Sequence, residues 1–226
     1  MRYLFVPFIT LITALVSLPT QARNISIRTM ATSSAKMPDF FIKASAEKPH
    51  EMLRWPTRQP SERVMANCES FLPLYQRLPD GSGKQHLAIA RRVQIPAGAR
   101  EIILLAWTDG KEVRLRAIED KFVGAKSNEW LFINASSKLI AFTIGDDAQP
   151  ITLASGVSRL CQVSSPQNKG AAAVGRAQIR GKLRVFYSTY LPIKEGQRTL
   201  MMFTDDGDKI RAKCIVDELT LPESDP

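Results

Sequence analysis

Covalent catalysis needs a serine or cysteine held beside a base. The chain supplies two histidines, His50 and His86, and three cysteines, Cys68, Cys161 and Cys214. His50 falls in an irregular stretch and His86 opens an apolar run. No serine sits in a Gly-x-Ser-x-Gly turn, so no nucleophile site is expected. No Cys-x-x-Cys occurs and the histidines stand alone in sequence, which predicts no metal centre and no cofactor. Cys214 alternates with Ile210 and Ala212, a period that turns its thiol into a core. In an oxidising compartment three cysteines allow one bridge, and Cys161–Cys214 is the expected pair because both lie in strand-like segments.

The carboxylate pairs Asp146-Asp147 and Asp205-Asp206 both fall at turns. General acid–base work needs carboxyls roughly 5–10 Å apart across a cleft, whereas neighbours in a turn splay into solvent. Asp205-Asp206-Gly207-Asp208 is oxygen-rich enough to suggest calcium, but it lacks the EF-hand spacing and reads as a turn. Gly81-Ser82-Gly83-Lys84-Gln85 resembles the end of a phosphate loop. It has Leu78 where a glycine is needed and Gln85 where a hydroxyl is needed, so it too reads as a turn. Asn24-Ile25-Ser26 and Asn134-Ala135-Ser136 fit the glycosylation sequon. One positive signal remains, a stripe of cations: Arg114 and Arg116 on one strand, Arg211 and Lys213 on another, with Arg91-Arg92 nearby in sequence. Such a stripe binds phosphate- or carboxylate-bearing polymers in a salt-dependent way. Equally, it is a solvated sheet face whose charges discourage edge-to-edge aggregation.

The elements that carry these residues are strands. After about residue 65, short runs rich in Val, Ile, Leu and aromatics recur between Gly, Pro and Asp turns at about eight- to twelve-residue spacing. The fold class expected is all-β, an antiparallel immunoglobulin-like β-sandwich. TDGKEVRLRAIED at 108–120 and TDDGDKIRAKCIVD at 204–217 are near copies. Val113, Leu115 and Ala117 alternate with Glu112, Arg114 and Arg116, as Ile210, Ala212 and Cys214 do with Lys209, Arg211 and Lys213. Each copy follows an apolar run, Ile102 to Trp107 or Leu200 to Phe203, through an Asp-Gly turn, the strongest short-range hairpin signal. Gly98-Ala99-Arg100 upstream matches Gly196-Gln197-Arg198, and Asp120 downstream matches Asp217. These matches predict a duplicated hairpin, 98–120 and 196–217, within one sandwich of pseudo-symmetric halves spanning 65–219. Residues 220–226 are expected to be a tail.

Residues 1–22 combine a basic Arg2, an uncharged run from Leu4 to Leu18 and the small-residue end Thr20-Gln21-Ala22. That pattern is a secretory signal peptide. Its run of about 15 residues is shorter than the ~20 a spanning helix needs, so no membrane span is expected after cleavage. Residues 23–64 show no sustained period and read as a poorly ordered arm or linker. The whole chain carries a net charge of +9; removing Arg2 leaves 30 basic against 22 acidic residues, or +8. That excess either serves solubility or attracts anionic envelope polymers.

WLFINASSKLIAFTIGDDAQPITLASGVSRLCQV and KLRVFYSTYLPIKEGQRTLMMFTDDGDKIRAKCIVD resemble segments of uncharacterised secreted β-sandwich proteins of verrucomicrobial-type bacteria. The shared features are an Asn-Ala-Ser strand end, an Arg-x-Leu strand and an aspartate after the last strand, across about 85–217; where those proteins have Tyr-Ser-x-x-Tyr this chain reads Tyr187-Ser188-Thr189-Tyr190. The resemblance implies the sandwich fold and brings no established activity or site with it. The expectation is therefore an exported, periplasmic or secreted, non-enzymatic binding or assembly module of the cell envelope. Its expected partner is an anionic polymer or another envelope protein, not cytoplasmic nucleic acid. The alternative is a carbohydrate-active or other hydrolase built on a carboxylate or histidine whose site the sequence does not place.

Overall fold

The computed structural model describes residues 22–33, 35–45, 47–121, 129–145, 149–163, 170–179, 181–193 and 198–217. The segment 1–21, the 220–226 tail and the Asp146-Asp147 pair lie outside them. The described residues form sixteen strands and no helix. The first eight are β1 (Arg23–Ala31), β2 (Phe41–Lys43), β3 (His50–Met52), β4 (Val64–Cys68), β5 (Phe71–Pro79), β6 (Gln85–Gln94), β7 (Glu101–Asp109) and β8 (Glu112–Glu119). The second eight are β9 (Glu129–Asn134), β10 (Ile140–Ile144), β11 (Ile151–Leu153), β12 (Ser158–Gln162), β13 (Ala171–Ile179), β14 (Lys182–Leu191), β15 (Arg198–Asp206) and β16 (Lys209–Asp217).

The sheet orders are β4-β1-β7-β8 and β3-β2-β5-β6 in the first half, then β12-β9-β15-β16 and β11-β10-β13-β14 in the second. Adding eight to each strand of the first half reproduces the second. The agreement reaches pairing direction, because β1–β7 and β9–β15 are both parallel inside otherwise antiparallel sheets. It also reaches irregularity. The register shifts between Leu74 and Tyr75 opposite Ala90, and between Gly175 and Arg176 opposite Phe186, so each half carries one β-bulge at the same place. The duplication read from one hairpin thus extends over the whole described chain. In the immunoglobulin arrangement the second strand lies between the first and the fifth; here β2 lies between β3 and β5, and β1 pairs with β4 and β7.

Each half closes its own core. Ile25, Ile27, Ile42, Leu72, Leu74, Ile102 and Leu104 join the two sheets of the first half. Trp130, Phe132, Ile140, Phe142, Met201 and Phe203 do so in the second. A third cluster joins the halves to each other: Met30, Ile103, Leu105, Trp107 and Ile118 meet Leu131, Ile133, Leu200, Met202 and Ile215. The β4-β1-β7-β8 and β12-β9-β15-β16 sheets are therefore inner sheets with both faces covered, and the other two are outer sheets. Continuous apolar runs follow from this placement, since a strand buried on both faces has no polar side to show. β7 and β15 are accordingly buried through Ile102–Trp107 and Leu200–Thr204.

Two sequence expectations change. The sandwich spanning 65–219 becomes two stacked sandwiches. The arm expected at 23–64 supplies β1, β2, β3 and the start of β4, with β1 central in an inner sheet. Arg28 disguised that strand. It is buried on the face toward the second half, where Asp217 accepts from both of its terminal nitrogens at 2.8 and 2.5 Å. Arg198 in turn bonds Asp120 at 2.5 Å and Asp217 at 3.2 Å, and Arg28 lies 3.6 Å from Asp120. Among the described residues, two arginines and two aspartates form a circuit at the base of both hairpins, all with side chains at most 7% exposed. Burial alone would lower the pKa of Arg28; bonding to Asp217 and the charges of Asp217 and Asp120 outweigh it and raise the value. At the opposite end the hairpin tips touch, with Gly207 donating its N–H to Asp109 at 2.9 Å.

Candidate functional site

The stripe of cations is distributed by this stacking. Val113, Leu115 and Ala117 pack toward the core of the first half. Arg114, Arg116 and Ile118 alternate with them and so lie on the face of β8 toward the second half, where Ile118 joins the joint. Arg116 is half-buried and donates to the Asn134 carbonyl at 3.4 Å, its guanidinium lying over Gly156, where there is no Cβ to obstruct it. Lys213 makes the reciprocal contact, donating to the Ala31 carbonyl at 3.2 Å, and burial lowers its pKa. Ala31 and Asn134 hold matching positions in β1 and β9. Arg116 and Lys213 therefore each reach from one half to the other, so the four cations are divided between the joint and the open edges and do not form one continuous face. Arg114 and Arg211 remain exposed, paired with Glu112 at 2.8 Å and Asp206 at 2.8 Å within their own hairpins.

Where the first half is open, the cations gather around a groove. β6 and β8 are the edge strands of the outer and inner sheets on the same side of the sandwich. Between them runs a groove of about 830 Å³ with Phe40, Ala90, Val113 and Leu115 along its apolar lining. Its rim carries Arg91, Arg92, Lys111, Arg114 and Arg116, against Glu112 alone among acidic lining residues. Arg91, Arg92 and Lys111 make no ion pair with any described residue. Arg91 sits opposite Leu74 on β5 and so shares its core-facing side, while Arg92 sits opposite Pro73 and faces outward.

The bulge explains why this gap stays open in one half. Ala90, the extra residue of the first bulge, is small and sits beside Leu74 and Arg91. Its counterparts in the second half are Phe186, Gly175 and Tyr187. Phe186 packs edge-on against Phe203 at 5.8 Å, and Tyr187 lies 6.1 Å from Phe142, so aromatic rings occupy the corresponding space. A Cβ on Gly175 would meet the Phe186 ring at 2.8 Å, which is why glycine stands there. Large and small residues have exchanged places between the repeats.

The remaining sequence candidates are dispersed. Cys161 on β12 and Cys214 on β16 are free thiols. β9 and β15 lie between their strands, three strand spacings or about 14 Å, whereas a disulfide needs Cα atoms within about 7 Å; the predicted bridge is excluded. Cys68 is also free and buried. Burial pushes the thiols of Cys68 and Cys214 up to about 11, which keeps them protonated and unreactive at neutral pH. His50 packs edge-on against Tyr75 at 4.5 Å with its Nε2 buried and unbonded, and His86 is exposed on β6. Asp205 accepts from the Ser137 amide at 2.7 Å while Asp206 pairs with Arg211, so the two carboxylates serve separate structural bonds. Asp80 accepts from the amides of Ser82 and Lys84 and from the Ser82 hydroxyl, closing the 81–85 segment as a turn. The sequon at Asn134 is buried, its amide bonding the Lys138, Leu153 and Ala154 carbonyls.

The groove had a partial signal in sequence, the Arg91-Arg92 pair, but nothing there showed that β6 would face β8. Comparison with protein-family models gives no match, and comparison with curated proteins gives none either.

Proposed function

We propose that this chain is a non-enzymatic binding module of the bacterial cell envelope that takes an anionic ligand in the groove between β6 and β8. The observation that carries the reading is the asymmetry between two halves of one design. The second half fills the space beside its bulge with Phe186 and Tyr187; the first leaves it open and rims it with five cations against one acid. A groove with apolar lining and one sign of charge at its rim concentrates oppositely charged ligands, and that attraction weakens as salt rises. Export is supported by the signal-peptide pattern of residues 1–22.

Chromatography of the mature protein on immobilised polyglutamate and immobilised polyphosphate tests the binding reading. Wild type is retained at low salt, and Arg91→Glu with Arg92→Glu, both outside the joint between halves, elutes at distinctly lower salt. Equal elution of wild type and variant on both matrices would overturn it.

A further inference from the structure

We propose that the groove receives an extended acidic peptide, added as a strand along the free edge of β8, with carboxylates at every second residue. This rests on the anion-binding reading above and names its ligand class. Among the described residues β8 is hydrogen-bonded on one side only, to β7, in unbroken register from Glu112 opposite Asp109 to Glu119 opposite Ile102. Its other edge presents a row of backbone donors and acceptors toward the groove, the arrangement used in strand addition. The facing edge, β6, is interrupted at Ala90 by the bulge, which breaks the even spacing a new strand would need. β8 is therefore the template.

The side chains of β8 specify the pattern of its guest. Cross-strand neighbours stand about 5 Å apart, and opposite charges facing each other are favoured there. Positions of the guest that face Arg114 and Arg116 take carboxylates. The intervening positions fall beside Val113 and Leu115, against the lining made by Phe40 and Ala90, and take small apolar groups. Arg114 is half-exposed and held by Glu112, while Arg116 spends one nitrogen on a long 3.4 Å contact with Asn134, so each keeps donors for a carboxylate. Arg91 and Lys111, without acidic partners among the described residues, add attraction from the walls. A phosphate or uronate polymer matches the charge but supplies no amides for the β8 edge.

Calorimetry on the full mature chain separates these ligands. The probes are a nine-residue peptide of alternating glutamate and valine, the same peptide N-methylated at alternate amides in either phase, and polyphosphate of matched charge. The plain peptide is expected to bind at least about tenfold more tightly than one of the methylated forms and than polyphosphate. Arg114→Glu is expected to weaken it by about tenfold with the melting temperature unchanged. Equal binding of the plain and both methylated peptides, or of peptide and polyphosphate, would overturn strand addition and leave the anion-binding reading standing. No binding by any probe would overturn both.

Discussion

Replacing Asp217 by asparagine tests the joint between the halves. Asp217 accepts three hydrogen bonds from guanidinium groups: two from Arg28 at 2.8 and 2.5 Å and one from Arg198 at 3.2 Å. Its side chain is 0% exposed, so water cannot take its place. In the native circuit each of the two carboxylates meets both guanidinium groups. The Asp217→Asn variant takes from Arg28 its bidentate carboxylate and from Arg198 one of its carboxylates, and its amide N–H₂ points donors at donors. Breaking a buried pair by removing one partner costs about 3–5 kcal/mol, because the surviving charge stays desolvated. Set against a typical stability of 5–15 kcal/mol, that is a large fraction. Guanidinium denaturation measures it, with Glu112→Gln as the control. Glu112 also meets an arginine at 2.8 Å, but both side chains are more than half exposed, and its loss should cost under about 1 kcal/mol. The double replacement Arg28→Met with Asp217→Leu removes charge of both signs and keeps the Arg198–Asp120 pair. It should be less destabilised than Asp217→Asn alone. A cost below about 1 kcal/mol for Asp217→Asn, or a double variant weaker than the single, would refute the circuit as what locks the halves.

Gly175→Leu forces a Cβ to within 2.8 Å of the Phe186 ring and should cost about 1–3 kcal/mol in thermal or chemical unfolding. Gly175→Leu with Phe186→Ala copies the Leu74–Ala90 pair and should recover part of that loss; a neutral single variant or an unrescued double would refute the size exchange. Cys68 and Cys214 have folded pKa values raised from 9.0 to about 11, so the folded state holds more protons than the unfolded state between those values. Their contribution is complete below pH 9 and is lost as pH rises toward 11. Denaturation from pH 8 to 11 should show a shallower alkaline loss in Cys214→Ala than in wild type, and parallel curves would contradict the burial of that thiol.

What the sequence disclosed and what it hid divide along one physical line. Period-two alternation reports which side chains share a face of a strand, and it placed Val113, Leu115 and Ala117 opposite Arg114 and Arg116 correctly. It cannot report what covers that face. Arginine on an alternating strand reads as solvent-facing, yet Arg116 and Lys213 reach across to carbonyls of the facing half, and Arg28 is buried against two aspartates 92 and 189 positions along the chain. The same blindness turned 23–64 into an arm, because a central strand reading Arg-Asn-Ile-Ser-Ile-Arg-Thr-Met-Ala looks too polar for a core. Its charge is tolerable only beside Asp120 and Asp217, the two residues whose match between the copies was already visible. The repeated aspartate was thus the trace of the joint. A duplicated hairpin ending each time in a carboxylate, beside an apolar strand with no polar face, calls for a second buried surface and for cations to meet those carboxylates. Where the copies diverge, at Ala90 against Phe186 and Arg91 against Tyr187, the constraint of the joint is absent. That is where the first half opens a groove.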